Sequence, residues 1–157
     1  MAALRDLLTE MGYDGVRTHL QSGNVVLTTG QAPTKVGPAI ERRIRERFGL
    51  EIDVIVRTGE EIVGIVAGNP LADLATDGSR YFVVFLSAAP DAAALKELTG
   101  QDFSPEQLTA RGRELYAWCP DGMRDSRLFK TLGRQRLAPT STFRNWNTVT
   151  KLADMAR

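Results

Sequence analysis

The chain is expected to fold as an α+β protein, and three observations predict it. Helix-like and strand-like segments follow one another as α-β-β-α-β, then α, then β-α-β-β-α-α. The second block holds most of a β-α-β-β-α-β split motif. The first block reads as the same motif with its opening strand missing, a repeat of architecture without evident repeat of sequence. The boundaries expected are 1–70 for the first half with its connecting helix and 71–157 for the second with a C-terminal amphipathic helix, together one compact unit. A chain of 157 residues can build such a core unaided, removing roughly 70% of its unfolded surface from water.

Each element rests on a local signal. Leu4, Leu7, Leu8 and Met11 mark an apolar helical stripe that Gly12 can end as a C-cap residue. Two strands, Val16 to Leu20 and Asn24 to Thr28, flank the turn Gln21-Ser22-Gly23-Asn24, where Gly23 supplies positive φ. Val36, Ile40, Ile44 and Phe48 predict a helix over 34–48, closed by Gly49. The β-branched run Ile52 to Val56 predicts a strand. Thr58-Gly-Glu-Glu is a capping box, opening a helix that stops at Gly68-Asn69-Pro70.

Tyr81 to Leu86 is apolar at every position and therefore predicts a central strand. A helix from Pro90 to Leu98 follows. Strands over 106–111 and 114–119 are joined by Gly112-Arg113, a hairpin signal. A short helix over 126–132 precedes the last one, expected from Thr140 to Arg157. In that last helix Phe143, Trp146, Val149, Leu152 and Ala153 share one stripe, while Arg144, Asn147, Thr148 and Lys151 share another face.

Composition narrows the function classes. Twenty basic residues oppose nineteen acidic ones, so the net charge of +1 gives no global pull toward nucleic acid or anionic membrane. Cys119 is the sole cysteine and sits in an apolar run, which predicts a buried, inert thiol and excludes an internal disulfide. His19, the single histidine, cannot build a metal site unaided. No apolar run reaches the roughly 20 residues of a membrane span, and Met1-Ala-Ala-Leu-Arg-Asp does not resemble a signal peptide. A soluble, cytoplasmic protein without cofactor or metal is expected, and no membrane partner.

Two clusters are candidate binding sites. Arg17, Gln21, Ser22 and Asn24 gather around the glycine turn, where side chains and turn amides can grip a phosphate or carboxylate. The same Gln, Ser and Asn can instead satisfy the turn's own backbone. Arg144, Asn145, Asn147, Thr148 and Lys151 form the second cluster, near a helix N-terminus that Thr140, Ser141 or Thr142 would cap. There too the alternative is structural, with Arg144 and Asn145 tying down loops and Trp146 packing in the core.

The basic stretch Arg42 to Arg47 is interrupted by Glu41 and Glu46 and reads as a solvated helix face. Arg124, Arg127, Lys130, Arg134 and Arg136 are less diluted by acids and could follow a phosphate backbone. No phosphate loop or dinucleotide fingerprint matches. Ser22 lacks a credible base, so no catalytic residue is assigned and enzymatic activity is not expected.

Two long motifs carry a resemblance to a known family. Val16-Arg-Thr-His-Leu-Gln-Ser-Gly-Asn-Val-Val26 strongly resembles a signature of the mostly bacterial domain-of-unknown-function family 1697. Asn69-Pro70 and Thr142-Phe-Arg-Asn-Trp-Asn-Thr-Val149 are similar to its other signatures, so the resemblance spans essentially the whole chain. It implies two packed ferredoxin-like halves and no established activity. Family members usually begin with a strand and a Gly-rich loop ahead of the first helix, a segment this sequence lacks. Position 19 is His where Tyr is commoner.

The leading functional expectation is a binding protein for an anionic small molecule or nucleotide in a cleft between the halves. Its ligand-binding residues would be Arg17, Gln21, Ser22, Asn24, Arg144, Asn145, Asn147, Thr148 and Lys151. Alternatives are nucleic-acid binding through the 124–136 basic region and a homodimer pairing through an exposed sheet edge. Tyr81, Phe82 and Phe85 supply sheet aromatics for RNA, but that run reads as buried.

Overall fold

The structure, a computed structural model, describes residues 2–19 and 23–157. It is α+β and divides into two units, Met1–Val66 with Lys151–Arg157, and Ala67–Thr150.

In the first unit, α1 (Ala2–Glu10) buries Leu7 and Leu8. Gly12 ends it at a φ of 94°, with its N–H donated to the Thr9 carbonyl at 3.0 Å. β1 (Asp14–His19) and β2 (Asn24–Thr28) form an antiparallel pair in which Thr18 faces Val25 and His19 faces Asn24. α2 (Pro33–Phe48) starts on Pro33, whose missing N–H costs nothing at a helix start, and ends on left-handed Gly49. Its buried Val36, Ile40 and Ile44 join Leu7, Leu8 and Tyr13 in one core cluster. Phe48, the last residue of the expected stripe, is exposed. The capping box forms as expected: Thr58 N–H donates to Glu61 Oε1 at 2.9 Å, and Glu61 N–H to Thr58 Oγ1 at 3.1 Å. It opens α3 (Gly59–Ala67), which buries Ile62 and Ile65.

The strand expected over Ile52 to Val56 is not formed. Val54 and Val56 are half-buried against the cluster around α2, so the apolar pattern records packing on a helix. The Val54 N–H donates to the Glu41 carboxylate at 2.8 Å. Among the described residues no strand pairs with this segment, and without a ladder an extended run is only a loop.

The second unit contains β3 (Tyr81–Leu86), α4 (Ala92–Thr99), β4 (Gln107–Arg111), β5 (Glu114–Trp118), α5 (Arg127–Arg134) and β6 (Ser141–Asn145). The four strands form an antiparallel sheet in the order β4-β5-β3-β6. β3 is buried at every position and paired on both sides, as its composition predicts. Gly112, at a φ of 56°, lets the β4–β5 turn close in two residues. Phe82, Val84 and Leu86 of β3 join Leu115, Ala117, Leu98, Leu128 and Leu137 in the core under α4 and α5.

The final segment corrects the sequence expectation. Residues 141–145 are not helical but form β6, pairing with β3 so that Val84 faces Phe143 and Val83 faces Arg144. Only then does α6 (Trp146–Ala156) begin. The β-branched threonines around Phe143 suit the sheet edge that β3 leaves open. Phe143 therefore leaves the expected apolar stripe, and Arg144 leaves the expected polar face. Val149 and Ala153 keep their places and are buried. Among the described residues no helix is long and apolar enough to cross a membrane.

Candidate functional site

The hairpin cluster is only partly visible, since Gln21 and Ser22 lie outside the described residues. Gly23 takes the expected positive φ, 81°. Asn24 is buried, and its Nδ2 donates to the His19 carbonyl at 3.0 Å, closing the hairpin across its end. The Arg17 guanidinium, from the exposed face of β1, donates through Nη2 to the Met155 carbonyl. That carbonyl belongs to the last turn of α6, where unsatisfied C=O groups attract a cation.

The second cluster is built by the β6–α6 junction. Arg144 is half-buried, and its Nη1 donates to Thr142 Oγ1 at 2.6 Å and to the Phe143 carbonyl at 2.7 Å. Burial pulls its guanidinium pKa below the ordinary value. Asn145 caps α6: its Oδ1 accepts the Thr148 N–H at 2.9 Å, the N-cap to N3 bond that relieves an orphan amide. The cap was expected at Thr140, Ser141 or Thr142; those residues lie before or inside β6, so they cannot serve.

Thr148 is buried, whereas Asn147 is exposed in the first turn of α6. The Asn147 amide lies over Gly78, leaving no room there for a Cβ, and Trp146 N–H donates to the Gly78 carbonyl at 3.0 Å. Trp146 also stacks obliquely on Tyr81, ring centroids 4.9 Å apart. The Tyr81 hydroxyl in turn donates to Asn69 Oδ1 at 2.5 Å. In the second unit, then, Asn69, Gly78, Tyr81, Arg144, Asn145, Trp146 and Asn147 meet around one helix start. Lys151 is exposed in the first unit.

A different region, α5 and its flanks, assembles groups that the sequence only half marks. Ser126 caps α5 by accepting the Phe129 N–H at 3.0 Å. Glu106, unmarked in the sequence, completes the cap: Oε1 accepts the Leu128 N–H at 3.0 Å, and Oε2 accepts the Ser126 hydroxyl. A carboxylate is favoured there by the positive end of the helix dipole. Cys119 lies behind Ser126, Sγ to Oγ 3.6 Å, and burial pushes its thiol pKa up to about 12, leaving it unreactive.

From Arg124 to Arg136 the chain has five cations and one acid, Asp125, all exposed. Arg127 donates to the Asp102 carbonyl and lies 5.5 Å over the Phe103 ring, and Arg136 donates to the Pro139 carbonyl at 3.2 Å. Among the described residues none of the five has a carboxylate within ion-pair distance. On α2 two of the four arginines are matched, and among the described residues Arg42 and Arg47 are not. Arg43 pairs with Glu46 at 3.3 Å and Arg45 with Glu51 at 3.7 Å, while Glu41 caps Val54 instead of an arginine.

Arg127, Lys130 and Arg134 recur at helical spacing and share one side of α5. At its C-terminal end a groove of about 510 Å³ is lined by Glu97, Gln101, Thr131, Arg134, Gln135 and Arg136. Next to this ridge, Phe129 of α5 meets Phe143 of β6 with centroids 5.2 Å apart. Phe143 remains 41% exposed. Among the described residues no group of three or more His, Cys, Asp or Glu is placed to hold a metal.

Comparison with known proteins adds family and fold. No curated protein matches the chain. Among solved structures, the conserved bacterial protein SP0830 from Streptococcus pneumoniae matches with a TM-score of 0.79 at 18% identity, covering 100% of this chain and 88% of that one. At that identity the likeness speaks for the fold alone. The model of the family described as protein of unknown function, DUF1697, matches residues 1–116. The hairpin motif and Asn69-Pro70 lie inside that span; the 142–149 motif lies beyond it. By that match the chain belongs to the DUF1697 family of proteins of unknown function.

Proposed function

We propose that this protein binds nucleic acid along the exposed cations of α5. The observation that carries the reading is the contrast between the two basic regions. Of the four arginines of α2, Arg43 and Arg45 are matched by carboxylates while Arg42 and Arg47 are not, whereas none of Arg124, Lys130 and Arg134 has one within ion-pair distance among the described residues. Like charges placed close together and left unmatched repel, a cost that a bound polyanion relieves. α5 is eight residues long, about 12 Å at 1.5 Å per residue, so its cations can meet successive phosphates of one strand. The reading assigns no reaction.

A smaller ligand, an anionic metabolite or nucleotide, is the second reading. The groove beside Arg134 and Arg136 favours it, being of the size that small-molecule sites commonly have. Glu97, on the wall of the same groove, opposes an anion. The residues first expected to hold such a ligand have less support. Arg17, Asn24, Arg144 and Asn145 each direct a polar group at a neighbouring backbone or side chain. As to fold, the strand order β4-β5-β3-β6 supports a ferredoxin-like second half. The hairpin and α2 support a first half of the same plan with fewer paired strands.

Fluorescence anisotropy with a labelled oligonucleotide at several salt concentrations tests the proposal. Binding should weaken linearly in log–log form as salt rises. The Lys130→Ala, Arg134→Ala variant should lose about 1.4 units of that slope on a single strand, roughly 0.7 for each phosphate contact removed. Absence of salt-dependent binding, or an unchanged slope in the variant, contradicts the proposal.

A further inference from the structure

We infer that Phe143 is a stacking platform for an unpaired base, so that the nucleic acid bound along α5 is single-stranded; the inference rests on the function proposed above. Phe143 stands on β6, an edge strand, opposite Val84, and so on the sheet face that carries α5. Two rings hold it in place. Phe82 meets it at 6.0 Å and 79°, and Phe129 at 5.2 Å and 60°, both edge-on. Phe82 and Phe129 also meet each other edge-on at 5.2 Å. Edge-to-face contacts of this kind favour a fixed ring orientation.

Phe82 is buried and Phe129 is half-buried, but Phe143 keeps 41% of its surface in water. A large aromatic held rigid and exposed loses little entropy when another ring stacks on it. Charge decides what that ring belongs to. Lys130 follows Phe129 directly in α5, and Arg124, Arg127 and Arg134 lie along the same short segment with Asp125 as its sole acid. An apolar protein partner would have to desolvate these cations. A single strand satisfies both features, its phosphates meeting the cations and one base covering Phe143, whereas a duplex keeps its bases stacked inside. The aromatics of β3 cannot do this, because Tyr81, Phe82 and Phe85 are buried.

The experiment compares a labelled 12-nucleotide single strand with the duplex of the same sequence, by anisotropy, using the full chain. The wild type should prefer the single strand. Phe143→Ala should weaken single-strand binding roughly 5- to 150-fold, the range of base–aromatic stacking, with duplex affinity and salt slope unchanged. Phe143→Leu, which keeps apolar bulk and should fold if Ala does not, should lose the same preference. Phe143→Trp should retain it, with its fluorescence quenched on binding. Equal affinity for both forms, or unchanged single-strand affinity in Phe143→Leu, overturns the inference while leaving the cationic site standing. No salt-dependent binding of either form overturns both.

Discussion

Asn145 decides between two meanings of the 142–149 motif, and its replacement can be worked through from the geometry. Its Oδ1 accepts the Thr148 N–H at 2.9 Å at the start of α6, an 11-residue helix with Val149 and Ala153 buried. Asn145→Ala removes the acceptor and leaves a half-buried amide unpaired, which costs about 1 kcal/mol and at most ~2. For a chain of this length, 1 kcal/mol lowers Tm by roughly 2–4 °C. Asn145→Asp keeps the acceptor and places a negative charge at the positive end of the helix, so it should equal or exceed the wild type at neutral pH. Thermal melts followed by circular dichroism would read both variants. A ligand-binding role through the amide NH2 predicts a different pattern: both variants lose binding and neither loses stability. If Asn145→Ala melts with the wild type, or Asn145→Asp falls as far as Asn145→Ala, the capping assignment is wrong.

Glu106, Gly78 and Cys119 give three further expected outcomes. Glu106→Ala removes the acceptor of both the Leu128 N–H and the Ser126 hydroxyl, and should destabilise the second unit by about 1–3 kcal/mol in urea melts. Gly78→Ala brings a Cβ onto the amide of Asn147, an exposed side chain that can rotate away, so it should cost under about 1 kcal/mol, and a double-mutant cycle with Asn147→Ala measures the coupling. Burial raises the Cys119 thiol from its usual 9.0 to about 12 in the fold. The unfolded thiol therefore ionises first, and stability from this group is complete below about pH 9 and declines as pH rises toward 12. Cys119→Ala should flatten that decline, and iodoacetamide should label native Cys119 far more slowly than the denatured chain.

Much of the fold was legible because the signals were local. The Thr58–Glu61 box, the Gly12 and Gly49 helix ends, the Gly112 turn and the uniformly apolar β3 each depend on a few neighbouring residues. Two elements were misread because long-range pairing decides them. Residues 141–145 carry a helical spacing, yet the open edge of β3 draws them into a strand. Residues 52–56 carry strand composition, yet no described strand pairs with them and they pack on α2.

The candidate site was less legible still. Whether an arginine is matched depends on which carboxylates arrive in space: Glu51 reaches Arg45 from the following loop, and among the described residues no carboxylate comes within ion-pair distance of Arg134. Phe143 read as a core residue of a helix and emerges as an exposed ring on an edge strand. Glu106 gave no sequence signal, because its helix start lies 20 residues further along.

The most direct measurement removes two charges from each basic region and compares single-strand affinity at low salt. Lys130→Ala with Arg134→Ala and Arg43→Ala with Arg45→Ala change the net charge equally. If unmatched cations on α5 hold the strand, the first pair weakens binding at least tenfold and the second changes it less than twofold. Equal losses from both pairs would mean that only overall charge matters, and that α5 is no site.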